Sequence, residues 1–263
     1  MSVVPIAPAP TADELPGVPL RCDHRLGTHW LGRVDFAAAL ALQEKIRADH
    51  ASTGDVLLLL EHEPVYTTGR GGRAEHLGAL VASASPEVRV ERIGRGGDVT
   101  YHGPGQLVGY ALVDLRARDR DVHRFLRQLE TGVISTLADY GVCGVRWPGR
   151  TGVWVADRGA DVARMDDHDM QLGRIRKIAS IGIGVRGGIT MHGFALNVAM
   201  DLAPFAAIVP CGLAGVRMTT VGRELGHRAQ PSVREVAERA ARRLGAALAW
   251  PPPPAVDPRG AGA

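Results

Sequence analysis

Ile175-Arg-Lys-Ile-Ala-Ser-Ile-Gly-Ile-Gly-Val185 and, after a turn carrying Gly187 and Gly188, Thr190-Met-His-Gly-Phe-Ala-Leu-Asn-Val198 decide the fold. Both runs are rich in β-branched and apolar residues and are interrupted by glycine, which weakens a helix, so they predict two strands. Working outward, the same signals predict strands at Val56–Leu60, Val88–Ile93, Gln106–Val113, Val142–Val145 and Val153–Val155. Helices interleave with them. Val122, Phe125, Leu126, Leu129, Val133 and Leu137 recur at three- and four-residue steps and stop before Gly141. Phe36 to about Arg47 follows a capping Asp35, and Ser232 with Glu235 forms a capping box ahead of Val233, Val236, Ala240 and Leu244. The expected class is α/β, of the α+β mixed-sheet kind. A single domain over residues 21–250 is expected, since no linker divides it. The Pro/Ala-rich residues 1–20 and the Pro-rich residues 251–263 read as disordered tails.

Composition narrows the function classes. Of 263 residues 45% are hydrophobic and 22% charged, which excludes a fibrous or wholly disordered chain. No stretch approaches the roughly 20 apolar residues of a membrane span, and no export signal opens the chain, so a cytoplasmic protein without a membrane partner is expected. The net charge of +3 is spread over interspersed Arg and acidic residues, which does not indicate nucleic acid. Among the cations 29 are Arg and only Lys45 and Lys177 are Lys. A retained lysine suggests a need for an amine that can lose its proton, which guanidinium cannot do.

The three cysteines are far apart and form neither a disulfide framework nor a metal knuckle. Cys143 sits in an expected apolar strand and Cys22 in the frayed N-terminal region, so both read as ordinary packing or surface residues. Cys211 lies in Ile208-Val-Pro-Cys-Gly-Leu213, on a turn set by Pro210 and Gly212, and is the candidate nucleophile. Its thiol needs a proton acceptor. Strict alternation puts Lys177 on the apolar face of its strand with Ile175, Ala179, Ile181 and Ile183. Two fates fit: it snorkels to water, or it is desolvated and titrates near neutral pH beside Cys211. Arg95-Gly-Gly-Asp-Val-Thr-Tyr-His102-Gly-Pro-Gly-Gln106 is a loop built for close backbone approach, without the Walker or dinucleotide glycine spacing. His102 within it reads as a turn-fixing residue or as a base. A shorter echo, Arg186-Gly-Gly-Ile-Thr-Met-His-Gly193, is either chance or a second loop on the same pocket. The acidic residues 156–172 have no fixed ligand spacing and read as a mobile surface loop, with no metal site.

Leu60-Glu-His-Glu-Pro-Val-Tyr66, the Arg95–Gln106 loop, Lys177-Ile-Ala-Ser-Ile-Gly182, Met191-His-Gly-Phe-Ala-Leu-Asn197 and Ile208-Val-Pro-Cys-Gly212 together resemble the octanoyltransferase (lipoate-protein ligase B) family over roughly residues 25–248. The resemblance implies a biotin/lipoate protein ligase-like core. It implies transfer of an octanoyl group from octanoyl-acyl carrier protein to a lipoyl-domain lysine of 2-oxoacid dehydrogenases or the glycine-cleavage H protein, with no cofactor. By matching position, Cys211 is the acylated nucleophile and Lys177 lowers its pKa. Substrate contacts fall to Arg95, Gly96, Gly97, Asp98, Val99, Thr100, Tyr101, His102, Ser180, Ile181, Gly182, Gly193, Phe194 and Ala195. The rival readings are an ATP-dependent lipoate or biotin ligase, a cysteine hydrolase, and a non-catalytic acyl-binding scaffold.

Overall fold

The computed structural model describes residues 17–19, 26–78, 80, 89–226 and 228–249. Two sheets organise them. The large one contains β1 (Val18–Pro19), β2 (Gly27–Val34), β3 (Val56–His62), β7 (Gln106–Leu112), β8 (Val145–Trp147), β9 (Arg150–Ala156), β10 (Ile175–Arg186) and β11 (Ile189–Asn197). Their spatial order is β1-β2-β3-β7-β11-β10-β9-β8, antiparallel throughout except for the parallel pair β2/β3. A small sheet of β5 (Val90–Arg92), β4 (Val65–Thr68) and β6 (Thr100–His102) stands apart from it. The class is mixed α/β.

Helices cover both faces of the large sheet because its central strands bury side chains on both. On β3, Leu57 and Leu59 join a core with Phe125, Leu129, Val133 and Leu137 of α2 (Val122–Ala138) and Val236, Ala240 and Leu244 of α3 (Val233–Leu248). Val56, Leu58 and Leu60 point the other way, to Ala39 and Ile46 of α1 (Phe36–Ala48). Asp35 caps α1, and the Ser232/Glu235 box caps α3. At Gly132 the two covering helices approach so closely that a Cβ would meet the Leu244 side chain at 2.4 Å.

Several expectations are corrected. Val18–Pro19, inside the stretch read as disordered, pair with Trp30 and His29, while the rest of residues 1–16, Cys22 and residues 251–263 lie outside the described residues. Val142–Val145 is not a strand: the chain turns through Gly144 and only Val145 joins β8, which leaves Cys143 exposed. The acidic stretch is not a bare loop. It holds a short helix, Asp167–Gln171, with an Asp166/Asp169 capping box, and Met170 is buried against Trp147, Trp154 and Ile175. No helix among the described residues is long and apolar enough to cross a membrane.

Candidate active site

The site forms on the α1 side of the large sheet, where a cavity of about 240 Å³ opens between β7, β10, β11 and the small sheet. Val108, Tyr110 and Ala195 form part of its floor, and Phe36, at the start of α1, contributes to its wall. Arg95, Gly97, Asp98, Thr100, His102, Lys177, Ser180, Ile181, Gly182, Gly193, Phe194, Ala195 and Cys211 all line it. Gly96, Val99 and Tyr101 do not. On β6 the alternation that turns Thr100 and His102 inward sends Tyr101 outward, and Val99 joins it in a separate apolar cluster. The Gly96 amide instead ties the loop to the Ile183 carbonyl at 2.7 Å.

Strict alternation separates Lys177 from Ser180, yet both face the cavity. Lys177 pairs with Trp154 and Ala179 with Val153, so Ile178 is an extra residue in the ladder. This bulge reverses the parity of β10: Ala179 and Ile183 turn to the helix-covered core, and Ser180 and Gly182 join Lys177 on the cavity side. Lys177 is only 3% exposed and does not snorkel. Its Nζ donates to the Thr151 carbonyl at 2.9 Å and lies 4.7 Å from the centre of the Trp154 ring.

Cys211 sits on the short turn Pro210–Gly212 with φ +58°, a left-handed conformation rare for a side chain bearing a Cβ. Its sulfur is 3.8 Å from the Ser180 hydroxyl. The Cys211 amide donates to the Val99 carbonyl at 2.8 Å, and the Gly212 amide to Val209 at 3.0 Å. Neither backbone N–H is therefore free to receive a developing oxyanion.

The surroundings of the sulfur carry fixed positive charge and neutral histidines. Arg95 is buried, donates to the Thr67 carbonyl and hydroxyl at 2.9 Å, and makes no ion pair among the described residues. Burial pushes its guanidinium down, an effect opposed first by the Cys211 sulfur and then by Tyr110 and Asp98. His102 bonds Gln106 Oε1 at 2.7 Å through Nδ1 and the Thr67 hydroxyl at 3.2 Å through Nε2. Burial, then His62, depresses its pKa to about 3. Both ring nitrogens are engaged, an arrangement that suits a turn-fixing ring. Gln106 passes the network on to Asn197 at 2.9 Å, and Glu61 holds the Gly105 amide at 2.7 Å.

His192, at the end of the shorter glycine echo, also lines the cavity with φ +62°; burial, then Arg95, lowers its pKa to about 4. Of the shorter stretch only the histidine end reaches the cavity, since Gly187 and Gly188 line a different groove with Arg116. Phe36, Tyr110, Arg150 and His192 also line the cavity and carry no functional signal in the sequence on their own. Tyr110 was available from alternation on β7, because it shares a face with Val108.

Residues 35–245 match the lipoyl protein ligase A/B catalytic domain. An octanoyltransferase of Geobacter metallireducens is 48% identical over 198 residues, covering 74% of this chain and 82% of that protein. One from Solibacter usitatus is 45% identical over 218 residues, 80% of this chain and 86% of that protein. Among solved structures, a bi-partite lipoate protein ligase from Thermoplasma acidophilum superposes with a TM-score of 0.61 at 17% identity, covering 87% of this chain and 84% of that one. A lipoate-protein ligase A bound with ATP gives 0.57 at 18% identity, over 79% and 81% of the two chains. The structural likenesses concern the fold.

Proposed function

The chain belongs to the octanoyltransferases of the lipoyl protein ligase A/B catalytic-domain family, and on that premise we propose that it moves an octanoyl group between proteins through an acyl-enzyme on Cys211. The donor in this reading is octanoyl-acyl carrier protein. The acceptor is the lipoyl-domain lysine of 2-oxoacid dehydrogenases or the glycine-cleavage H protein. The observation that carries the reading is the meeting of a turn-borne thiol and a buried lysine on one cavity with an apolar floor.

In the first step Lys177 accepts the Cys211 proton and the thiolate attacks the thioester carbonyl. A new C–S bond forms, the donor C–S bond breaks, and the donor leaves as a thiol that takes the proton from Lys177. In the second step the acceptor amine attacks the Cys211 thioester while Lys177 takes the amine proton. The amide forms, and the proton returns to the Cys211 sulfur. The energy of the thioester suffices without nucleotide. With the amides of Cys211 and Gly212 engaged, the oxyanion falls to side chains, and the Lys177 ammonium and the Ser180 hydroxyl are the donors suited to it. The octanoyl chain lies over the Val108 and Ala195 floor, where Gly182 and Gly193 leave room.

The test is intact-mass spectrometry after mixing with octanoyl carrier protein without nucleotide. Wild type should gain one octanoyl group and pass it to an added lipoyl domain, and Cys211→Ser should gain none. An adduct that persists on Cys211→Ser removes Cys211 from the mechanism, and a requirement for ATP replaces the reading with that of a ligase.

A further inference from the structure

The turn that carries Cys211 is braced from behind by a segment that takes no part in the chemistry above. A single helical turn, Ala74–Leu77, lies against it: the His76 carbonyl accepts the Val209 amide at 2.8 Å. The backbones run so close that a Cβ on Gly78 would stand 2.7 Å from the Ala207 carbonyl oxygen. The His76 ring donates through Nδ1 to Asp98 Oδ2 at 2.5 Å. The other Asp98 oxygen accepts the Val99 amide at 2.6 Å, and the Val99 carbonyl accepts the Cys211 amide at 2.8 Å. These bonds close a circuit around the turn from Val209 through His76, Asp98 and Val99 back to Cys211. The pair sits directly under the turn, since a Cβ on Gly212 would meet Asp98 Oδ2 at 2.8 Å and His76 Cε1 at 3.1 Å. The two side chains are 18% and 10% exposed.

A cysteine at φ +58° persists only where its surroundings impose that conformation. The Val209–His76 and Cys211–Val99 bonds of the circuit join neutral backbone groups. Both bonds of the Asp98 carboxylate, from the Val99 amide and from the His76 ring, are charge-assisted, and the second joins the two segments of the circuit through side chains alone. We propose that His76 and Asp98 are positioning residues, a clamp that holds Cys211 in its left-handed conformation with the sulfur presented to the cavity. The inference rests on the reading of Cys211 as nucleophile.

The test uses full-length His76→Leu, which keeps bulk without the N–H, and His76→Asn, whose amide N–H takes the place of Nδ1. Rapid-mixing mass spectrometry would follow octanoyl transfer to Cys211, with thermal unfolding as the check on folding. For His76→Leu, kcat should fall about tenfold or more, as expected when a reacting atom is misplaced, while KM for the donor stays within about threefold. His76→Asn should recover most of the rate. Wild-type kinetics in His76→Leu overturn the clamp, and so does a His76→Asn variant as defective as His76→Leu. Should His76→Leu fail to fold, Gly212→Ala drives a methyl group onto the pair. It should reproduce the loss of kcat, and wild-type turnover there overturns the clamp as well. Cys211→Ser run in parallel separates the two readings: an adduct surviving on it sinks the nucleophile, whereas normal acylation by the His76 variants sinks only the clamp.

Discussion

At Lys177 the balance between two cations is a matter of proton chemistry rather than charge. Lysine and arginine are both positive in water, but only the amine can release a proton within the range an acyl transfer needs. Lys177→Arg should therefore retain the fold yet lower octanoyl transfer by at least about 100-fold, within the range that general acid–base catalysis contributes. A steady-state assay with carrier-bound octanoate checks this, and near-normal turnover would reduce Lys177 to a packing role against Trp154. Lys177 and Cys211 were legible in the sequence because each breaks its local pattern: a lysine in an apolar strand, and a thiol between proline and glycine. His76 left no such mark. It sits in a polar run, Arg73-Ala-Glu-His76, and its relation to Asp98, 22 residues on, exists only once the chain has folded. Nor does spacing bring Arg95 to Thr67, the contact that keeps its guanidinium inside.

Among the elements, those with a strong apolar pattern were readable, and those placed by their neighbours were not. β3 announces itself as Val56-Leu-Leu-Leu-Leu60, and α2 through its three- and four-residue repeat. β2 was missed because Gly27-Thr-His-Trp-Leu-Gly-Arg-Val34 mixes polar residues and glycine, and parallel pairing with β3 makes it a strand. β4 is only four residues long and directly follows Pro64, too short for any period to show. The same dependence on neighbours governs the helices. Gly132 lets α2 lie against α3, so Gly132→Val should cost about 1–3 kcal/mol through overpacking. Urea unfolding measures that cost. Acylation of Cys211 below the melting range should be unaffected, since α2 lies across the sheet from the cavity.

Over the whole molecule, acid should act through histidines that cannot accept a proton while folded. His102 and His192 have folded pKa values of about 3 and about 4, below the ordinary value of 6.5. Between those values and 6.5 the unfolded chain binds more protons, so stability is complete above about pH 7 and falls as pH drops. Each residue should cost about 2 kcal/mol between pH 7 and pH 5. Urea unfolding at the two pH values checks the total, and His192→Gln should lose about 2 kcal/mol less over that interval than wild type. The bulge at Ile178 carries a consequence of another kind. Because one added link decides which side chains of β10 meet hydrocarbon and which meet the cavity, the distance along the chain between the amine and the serine fixes that both face the same space. Shortening the strand by one residue would turn Ser180 and Gly182 into the greasy interior. The strand is thus constrained in its count of residues as much as in their chemistry.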